Sequence, residues 1–301
     1  MEGGKDMRCA EVKEKMGKKA ILAVSFGTTY IDARRLTITA IEERIKESFP
    51  DYELRRAFTS RIIIKRIIDN EGLTIDTERQ ALKKLHAECF EEVIVQPLHI
   101  VSGEEYYKVR HIVEDCKKEK LFSRIMLGRP MLCFSGQEER PDDYKTAIEA
   151  LKTQLPSMQA DEAVILVGHG GNHPANAAYA ALQLRLHGEN MKNVFVVTVD
   201  GEGYPTMGSV LPILRREKIK TVTLMPLMIV AGDHAHNDIS GEEEDSFNTQ
   251  LTAEGFTVKN YLHGLGENVA VQDLYVQRVE DAIMGRYMER SKHRPEIPLI
   301  E

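Results

Sequence analysis

The sequence predicts an α/β protein of two similar halves, each a parallel sheet flanked by helices as in Rossmann-like and flavodoxin-like folds. Short apolar runs rich in β-branched residues alternate with segments of helical periodicity along the chain. Such alternation is typical of parallel strands with helices on both faces of the sheet. One nine-residue segment of the first half also recurs in the second half, which indicates an internal duplication.

Four strands and four helices are predicted in the first half. The strands span Ala20–Phe26, Glu53–Phe58, Glu92–Leu98 and Ser123–Leu127. The helices span about Ile31–Ser48, Ile62–Ile68, Thr77–Phe90 and Gly103–Lys118. Pro50 ends the first helix, because proline lacks the N–H that a helix interior requires.

The second half repeats this plan. Its predicted strands span Ala163–Val167, Asn193–Val199, Thr221–Met225 and Phe256–Asn260. Its helices span about Pro174–Gly188, Thr206–Glu217, Gly241–Gly255 and Val269–Met288. Proline at a helix start and glycine at its end are the residues that those positions favour.

The repeated segment divides the chain into its halves. Residues 97–105 (PLHIVSGEE) align with residues 226–234 (PLMIVAGDH), and five of the nine positions are identical. The polar, proline-containing stretch at 136–161 marks the boundary. We therefore expect an N-terminal extension at 1–17, a first half at 18–140 and a second half at 141–301, with a terminal helix that crosses back to the first half.

Composition excludes several classes of protein. The net charge of -7 disfavours a nucleic-acid partner, which usually meets a basic surface. No apolar run is long enough to span a bilayer, and the charged N-terminus does not resemble a signal peptide. The four cysteines form no C-x-x-C or haem-attachment motif, so we expect reduced thiols, no covalently attached haem and a cytoplasmic protein. The sequence leaves a homo-oligomer open.

Three side chains are the leading candidates for chemistry. His169 follows a strand between two glycines, His234 follows another, and Glu105 occupies the position of His234 in the repeated segment. Ligands of open parallel sheets bind outside the carboxyl ends of the strands, and sites commonly lie between domains. Two imidazoles and a carboxylate suit a borderline divalent ion, and three protein ligands leave positions open.

Simpler roles compete with these assignments. Ser102 and Glu105 match a capping box, in which Glu105 only satisfies a helix end. A lone histidine after a strand is more often a turn residue, although the run 232–238 around His234 is dense in groups that bind metals. His236 in that run is a candidate for substrate binding or metal entry, and His173 is predicted to cap the helix that begins at Pro174.

Two further predictions concern the substrate. Arg55 and Arg56 belong either to a solvated face or to a docking site for carboxylates, which arginine binds through two parallel hydrogen bonds. Ser25, at the end of the first strand, is a further candidate for substrate binding. The sequence has no P-loop, G-x-S-x-G or H-E-x-x-H motif, so we expect no nucleotide cofactor.

Six segments together resemble the anaerobic cobaltochelatases of the CbiK type, class II chelatases related in fold to ferrochelatase. They are residues 24–29 (VSFGTT), 56–60 (RAFTS), 96–100 (QPLHI), 168–170 (GHG), 225–234 (MPLMIVAGDH) and 262–268 (LHGLGEN). Each segment is weak alone, but the set extends over most of the chain, from Lys18 to Ile283.

The resemblance implies a specific activity. It implies insertion of Co²⁺ into sirohydrochlorin or its precorrin-2 form, without ATP, on the anaerobic route to cobalamin. It also implies that His169, His234 and Glu105 form the catalytic, metal-binding set, the same trio that the repeat selects. Two alternatives stay open, because Fe²⁺ accepts the same ligands and a carrier needs the same groove: iron insertion for sirohaem, and a non-catalytic carrier of tetrapyrrole or metal.

Overall fold

The computed structural model describes residues 17–200 and 204–287 and confirms the predicted fold of two α/β halves. Each half holds a four-stranded, all-parallel sheet, with strand orders β2-β1-β3-β4 and β6-β5-β7-β8. The two orders are the same when the second half is renumbered, as an internal duplication requires. The predicted N-terminal extension lies outside the described residues except for Gly17.

The first half contains the following elements. Its strands are β1 (Lys18–Ser25), β2 (Glu53–Phe58), β3 (Phe90–Pro97) and β4 (Arg124–Leu127). Its helices are α1 (Ile31–Arg34), α2 (Ala40–Ser48), α3 (Arg61–Glu71), α4 (Glu78–Ala87) and α5 (Glu104–Lys118). A π-helical turn, Arg35–Thr39, joins α1 to α2 within what the sequence predicts as one regular helix.

The second half contains the following elements. Its strands are β5 (Glu162–Gly170), β6 (Val194–Asp200), β7 (Thr221–Pro226) and β8 (Thr257–Asn260). Its helices are α6 (Asp143–Lys152), α7 (Ala177–Gly188), α8 (Met207–Arg216), α9 (Phe247–Ala253) and α10 (Val269–Ile283). None of the helices in the described ranges combines the length and apolar character needed to cross a membrane.

The central strands β1 and β5 lie almost entirely out of solvent. Residues 20–25 of β1 and 163–168 of β5 are buried because helices cover both faces of each sheet. Strands buried in this way read as continuous apolar runs rather than as alternating ones, which explains the runs seen in the sequence. All strands of a half end at one side of its sheet, which we call the carboxyl edge.

The closing helix α10 packs against the first half. The Tyr275 hydroxyl donates to the backbone carbonyl of His99 over 3.0 Å, and Arg124 donates to the carbonyl of Ala282 over 3.2 Å. Arg44 of α2 lies 2.7 Å from Asp273. These contacts join the last helix to strands and helices that precede it by more than 150 residues.

Two local predictions are wrong. The helix expected at Gly241–Gly255 begins at Phe247, because Ser246 caps it by accepting from the Thr249 N–H over 3.1 Å. Cys116 and Cys133 are free thiols, as expected, but Cys89 is disulfide-bonded, which contradicts the prediction of four reduced cysteines.

Candidate metal and substrate site

Two of the three predicted ligands meet at the carboxyl edge of the second half. His169 is the next-to-last residue of β5, and His234 immediately precedes the π-helical turn Ala235–Ile239 in the segment after β7. Their ring centroids lie 4.5 Å apart, with the ring planes inclined by 80°. The side chains are 50% and 38% exposed, so an ion could reach both rings from solvent.

A glycine shapes the turn that presents His169. Gly170 has φ of +85°, a left-handed conformation that other residues adopt with strain. A Cβ atom there would also lie 2.9 Å from the carbonyl oxygen of Asp200. The backbone of β6 therefore approaches this glycine too closely for a larger side chain.

Each imidazole has a carboxylate beside Nδ1. Asp200 Oδ2 lies 3.1 Å from His169 Nδ1, and Asp238 Oδ2 lies 2.7 Å from His234 Nδ1. A carboxylate can only accept, so a neutral ring in either place carries its proton on Nδ1 and leaves the Nε2 lone pair free. Metal-ligating histidines are commonly oriented by such carboxylates, which also raise the basicity of the ring.

The two aspartates were not assigned as candidates from the sequence. Asp200 lies at the end of β6, where Gly170 is its partner in register, so the strand order places it beside His169. Only the pairing of β6 with β5 reveals this neighbour. Asp238 follows His234 by four residues in the run already noted for its metal-binding groups, and helical spacing brings the two together.

Glu105 lies in the first turn of α5 and is not a capping residue. The N-cap is Gly103, which has no side chain to cap the helix. The Ser102 hydroxyl lies 3.9 Å from Cys133 Sγ, so the predicted capping box is wrong. Lys108 Nζ donates to Glu105 Oε1 over 2.8 Å. Burial is the largest single influence and would raise the pKa of Glu105, but the hydrogen bonds and positive charge around the carboxylate, chiefly from Lys108, together lower it.

The structure does not assemble a complete three-ligand site. Within residues 17–200 and 204–287, no group of three or more His, Cys, Asp or Glu side chains is arranged to hold a metal ion. It brings His169 and His234 together, whereas the carboxylate of Glu105 is paired with Lys108. The role of Glu105 as third ligand therefore stays a prediction.

The predicted substrate residues have different environments. The Ser25 hydroxyl is buried at the end of β1 with no hydrogen-bond partner among the described residues. His236 stacks on Tyr30, with ring centroids 5.3 Å apart. His173 caps the short 3-10 helix Pro174–Asn176, as predicted, by accepting from the Ala175 N–H over 3.1 Å.

Arg55 and Arg56 are engaged within the first half. They lie opposite Leu22 and Ala23 in the middle of β2, not at its carboxyl end. The Arg55 Nη2 atom lies 2.6 Å from Glu88, and Arg56 Nε lies 2.8 Å from Glu42. Both line an open pocket of ≈ 400 Å³ with acidic and apolar neighbours. Because each guanidinium already has a carboxylate partner, the geometry gives no support to docking of substrate carboxylates here.

Exposed apolar side chains surround the carboxyl edges of both halves. Phe26 follows β1, Ile62 is the second residue of α3 after β2, and Tyr204 follows β6; they are 49%, 67% and 65% exposed. Tyr107 of α5 lies with its ring centroid 5.1 Å from that of His173, so the two edges face each other. Aromatic and apolar groups of this kind suit a large, flat, conjugated ligand.

His99, at the end of β3, is a neutral histidine. Both of its ring nitrogens are buried without a hydrogen-bond partner among the described residues. Burial lowers the pKa of His99 to about 4, because a charged ring there would lose its hydration. The repeated segment has Met228 at the equivalent position, so an uncharged side chain occupies this place in both halves.

The lowered pKa of His99 predicts how stability depends on pH. An unfolded histidine titrates near 6.5, so between pH 6.5 and about 4 the unfolded chain binds a proton that the folded chain does not. Stability present above pH 6.5 is therefore lost as the pH falls toward 4. His99→Met should remove up to ~1.4 kcal/mol per pH unit of this slope. Urea unfolding of both proteins from pH 4 to 8 measures it, and parallel curves would contradict the prediction.

Comparison with known proteins identifies the family. Residues 19–284 match the family model for cobalt chelatase (CbiK). The chain belongs to the CbiK cobalt chelatase family. A sirohydrochlorin cobaltochelatase of Salmonella typhimurium is 40% identical over 267 residues, which cover 88% of this chain and 97% of that protein. Another, from Nitratidesulfovibrio vulgaris, is 34% identical over 269 residues, which cover 89% and 92%.

Solved structures agree with the fold of this CbiK family member. SirB from Bacillus subtilis with Fe³⁺ superposes with a TM-score of 0.56 at 17% identity, covering 88% of this chain and 95% of that one. The sirohydrochlorin chelatase SirB of Bacillus subtilis subspecies spizizenii, in complex with cobalt, gives 0.55 at 16% identity, covering 89% and 96%. At this level of identity the comparison supports the two-half architecture alone.

Proposed function

We propose that this chain inserts Co²⁺ into sirohydrochlorin, or its precorrin-2 form, without ATP. The observation that carries the proposal is the pair of adjacent imidazoles at the carboxyl edge, each with a carboxylate beside Nδ1, so that a neutral ring offers its Nε2 lone pair to an ion. Membership of the CbiK family and the names of its relatives supply the metal and the ring.

The metal substrate binds first to His169 and His234 in this proposal. Neutral imidazole nitrogens suit cobalt and other borderline divalent ions. Glu105 is the third ligand by the family motif, and its ligation requires that its ion pair with Lys108 opens. Three protein ligands would leave coordination positions for the pyrrole nitrogens, so the ion can pass to the ring without full rehydration.

Insertion releases two protons from the pyrrole N–H groups of the ring, and a base must accept them. His169 suits this role because imidazole gains and loses protons near neutral pH. Once the ion has passed to the ring, Nε2 can accept one pyrrole proton, release it to water and then accept the second. The carboxylate of Asp200, 3.1 Å from Nδ1, stabilises the imidazolium that forms. Half of the side chain is exposed, which allows the proton to leave to water.

The ring itself is held between the two halves. Phe26, Ile62 and Tyr204 offer exposed apolar surface at the carboxyl edges of the two halves, against which a conjugated macrocycle can lie. No step in this scheme consumes a nucleotide, in agreement with the lack of a phosphate-binding motif in the sequence.

An absorbance time course tests the proposal. Purified protein is mixed anaerobically with sirohydrochlorin and Co²⁺, without ATP, beside the His169→Ala/His234→Ala double variant. We expect the spectrum of the cobalt complex to form faster than in buffer and no acceleration by the double variant. Tight binding of the ring without acceleration would favour a carrier. Faster insertion of Fe²⁺ than of Co²⁺, with both ions competing for limiting ring, would favour sirohaem synthesis.

A further inference from the structure

The side chain of Tyr30, in the first half, contacts the segment of the second half that carries His234. The Tyr30 hydroxyl donates to Asp233 Oδ1 over 2.9 Å. The Tyr30 ring stacks on His236, with a centroid distance of 5.3 Å and an interplanar angle of 25°. Tyr30 belongs to the loop after β1, so both contacts cross between the halves of the protein.

These two contacts bracket His234. Asp233 precedes it and His236 follows it by two residues, so Tyr30 holds the backbone on both sides of the candidate ligand. From within its own half, His234 is held by Asp238, 2.7 Å from Nδ1. The position of the His234 ring relative to His169 therefore depends on a residue of the other half.

Tyr30 is itself held firmly. Its backbone N–H donates to Thr28 Oγ1 over 3.2 Å, and the buried Arg34 donates to the Thr28 carbonyl over 3.1 Å. Arg34 also donates to Glu71 over 3.1 Å. The hydrogen bond to Asp233 raises the pKa of the Tyr30 hydroxyl, so it stays a donor across the working pH range. Because Tyr30 is held in the first half, it can keep the segment around His234 in a defined position relative to that half.

We propose that Tyr30 is a positioning residue that fixes His234 opposite His169 when the two halves come together. The proposal rests on the proposed function, because it assigns Tyr30 to the metal-binding step of that reaction. The neighbouring Arg66, whose Nη1 lies 4.0 Å from Asp233 and which is more than half exposed, adds only a weak, screened attraction. Tyr30 acts through the geometry of the segment 232–236 and not by touching the reacting atoms.

Tyr30→Phe tests the hydrogen bond while keeping the aromatic ring. Loss of groups that orient metal ligands typically lowers metal affinity or activity by about 10–100-fold. We expect Tyr30→Phe to lower kcat and weaken Co²⁺ binding by about tenfold, near the lower end of that range, with the KM for sirohydrochlorin within about twofold. Asp233→Ala should match it, whereas Asp233→Asn, which keeps the Oδ1 acceptor, should stay close to wild type.

Tyr52→Phe is the matched control. The Tyr52 hydroxyl also donates to a carboxylate over 2.9 Å, that of Glu92, but both residues lie in the first half near the amino ends of its strands. The same chemical change is thus made away from the histidine pair. We expect its kcat, KM and Co²⁺ affinity to equal those of wild type. An equal fall in kcat for both variants would overturn the proposal.

Hydrogen exchange gives a readout that does not require turnover. Backbone amides of residues 232–238 should exchange faster in Tyr30→Phe than in wild type, while those of the β5 strand stay unchanged. Unchanged exchange in 232–238 together with unchanged kcat would overturn the role of Tyr30. If wild type fails to insert metal at all, the proposed function fails, and the exchange experiment still decides whether Tyr30 fixes this segment.

Discussion

His169→Ala should lower the kcat for cobalt insertion by about 10²–10⁴-fold, the range that loss of a general base produces. The variant loses the proposed proton acceptor and one of the two adjacent imidazoles that are proposed to bind the metal. Its fold should be intact, because the side chain is half exposed and packs into no core cluster. Stopped-flow or steady-state absorbance with sirohydrochlorin and Co²⁺ measures the effect, and circular dichroism verifies the fold.

His86→Ala is the matched control for this variant. His86 is an exposed histidine near the end of α4, where Nδ1 lies 2.7 Å from the Leu121 carbonyl. The end of α4 lies at the side of the sheet opposite the carboxyl edge, so His86→Ala should keep wild-type turnover. Equal activities of His169→Ala and wild type would exclude His169 as base and ligand.

Asp200→Ala tests how much activity depends on the orientation of the His169 ring, while the ring itself stays in place. The carboxylate lies 3.1 Å from Nδ1 and should orient the ring without touching the ion. Its loss should lower activity by about 10–100-fold, less than loss of the ring itself.

The architecture was predictable because its signals are patterns within short stretches of the sequence. Buried parallel strands need apolar runs, and the central strands β1 and β5 show them most clearly. The repeated segment at 97–105 and 226–234 placed Glu105 and His234 at equivalent ends of two sheets, and β7 and β3 indeed occupy equivalent positions in the strand orders. Periodicity and repetition are properties of the chain itself, so they can be read without coordinates.

The site was only partly predictable because its geometry depends on long-range pairing. Asp200 becomes the neighbour of His169 through the register of β5 and β6, and Tyr30 reaches Asp233 across 203 residues of sequence. Neither contact has a local signature. The capping box at Ser102 has such a signature, yet the N-cap is the next residue, Gly103, and the Ser102 hydroxyl lies beside Cys133 instead.

Asp143→Ala should lower the free energy of unfolding by about 3–5 kcal/mol, the effect of removing one partner from a buried ion pair. Asp143 is fully buried and pairs with two arginines, Arg129 at 3.1 Å and Arg278 at 2.8 Å. Its carboxylate also accepts from the Phe134 N–H over 2.9 Å. Without it, two buried guanidinium groups lose a counter-charge that water cannot replace.

The position of this ion pair adds to its importance. Arg129 follows β4 of the first half, whereas Arg278 lies on α10, the helix that packs back onto that half. Arg129 also lies 2.7 Å from Asp281 of α10. Asp143 therefore neutralises cations from both halves at once, and its loss should loosen the contact between the closing helix and the first sheet.

Asp273→Ala provides the comparison for Asp143→Ala in equilibrium urea unfolding followed by circular dichroism. Asp273 also joins α10 to the first half, through Arg44 at 2.7 Å, but both side chains are about half exposed. Solvent screens such a pair, so its loss should change the free energy of unfolding by less than ~1 kcal/mol. Both substitutions remove an aspartate from an Asp–Arg ion pair that involves α10. Equal losses of unfolding free energy would therefore mean that burial of the Asp143 network does not strengthen it.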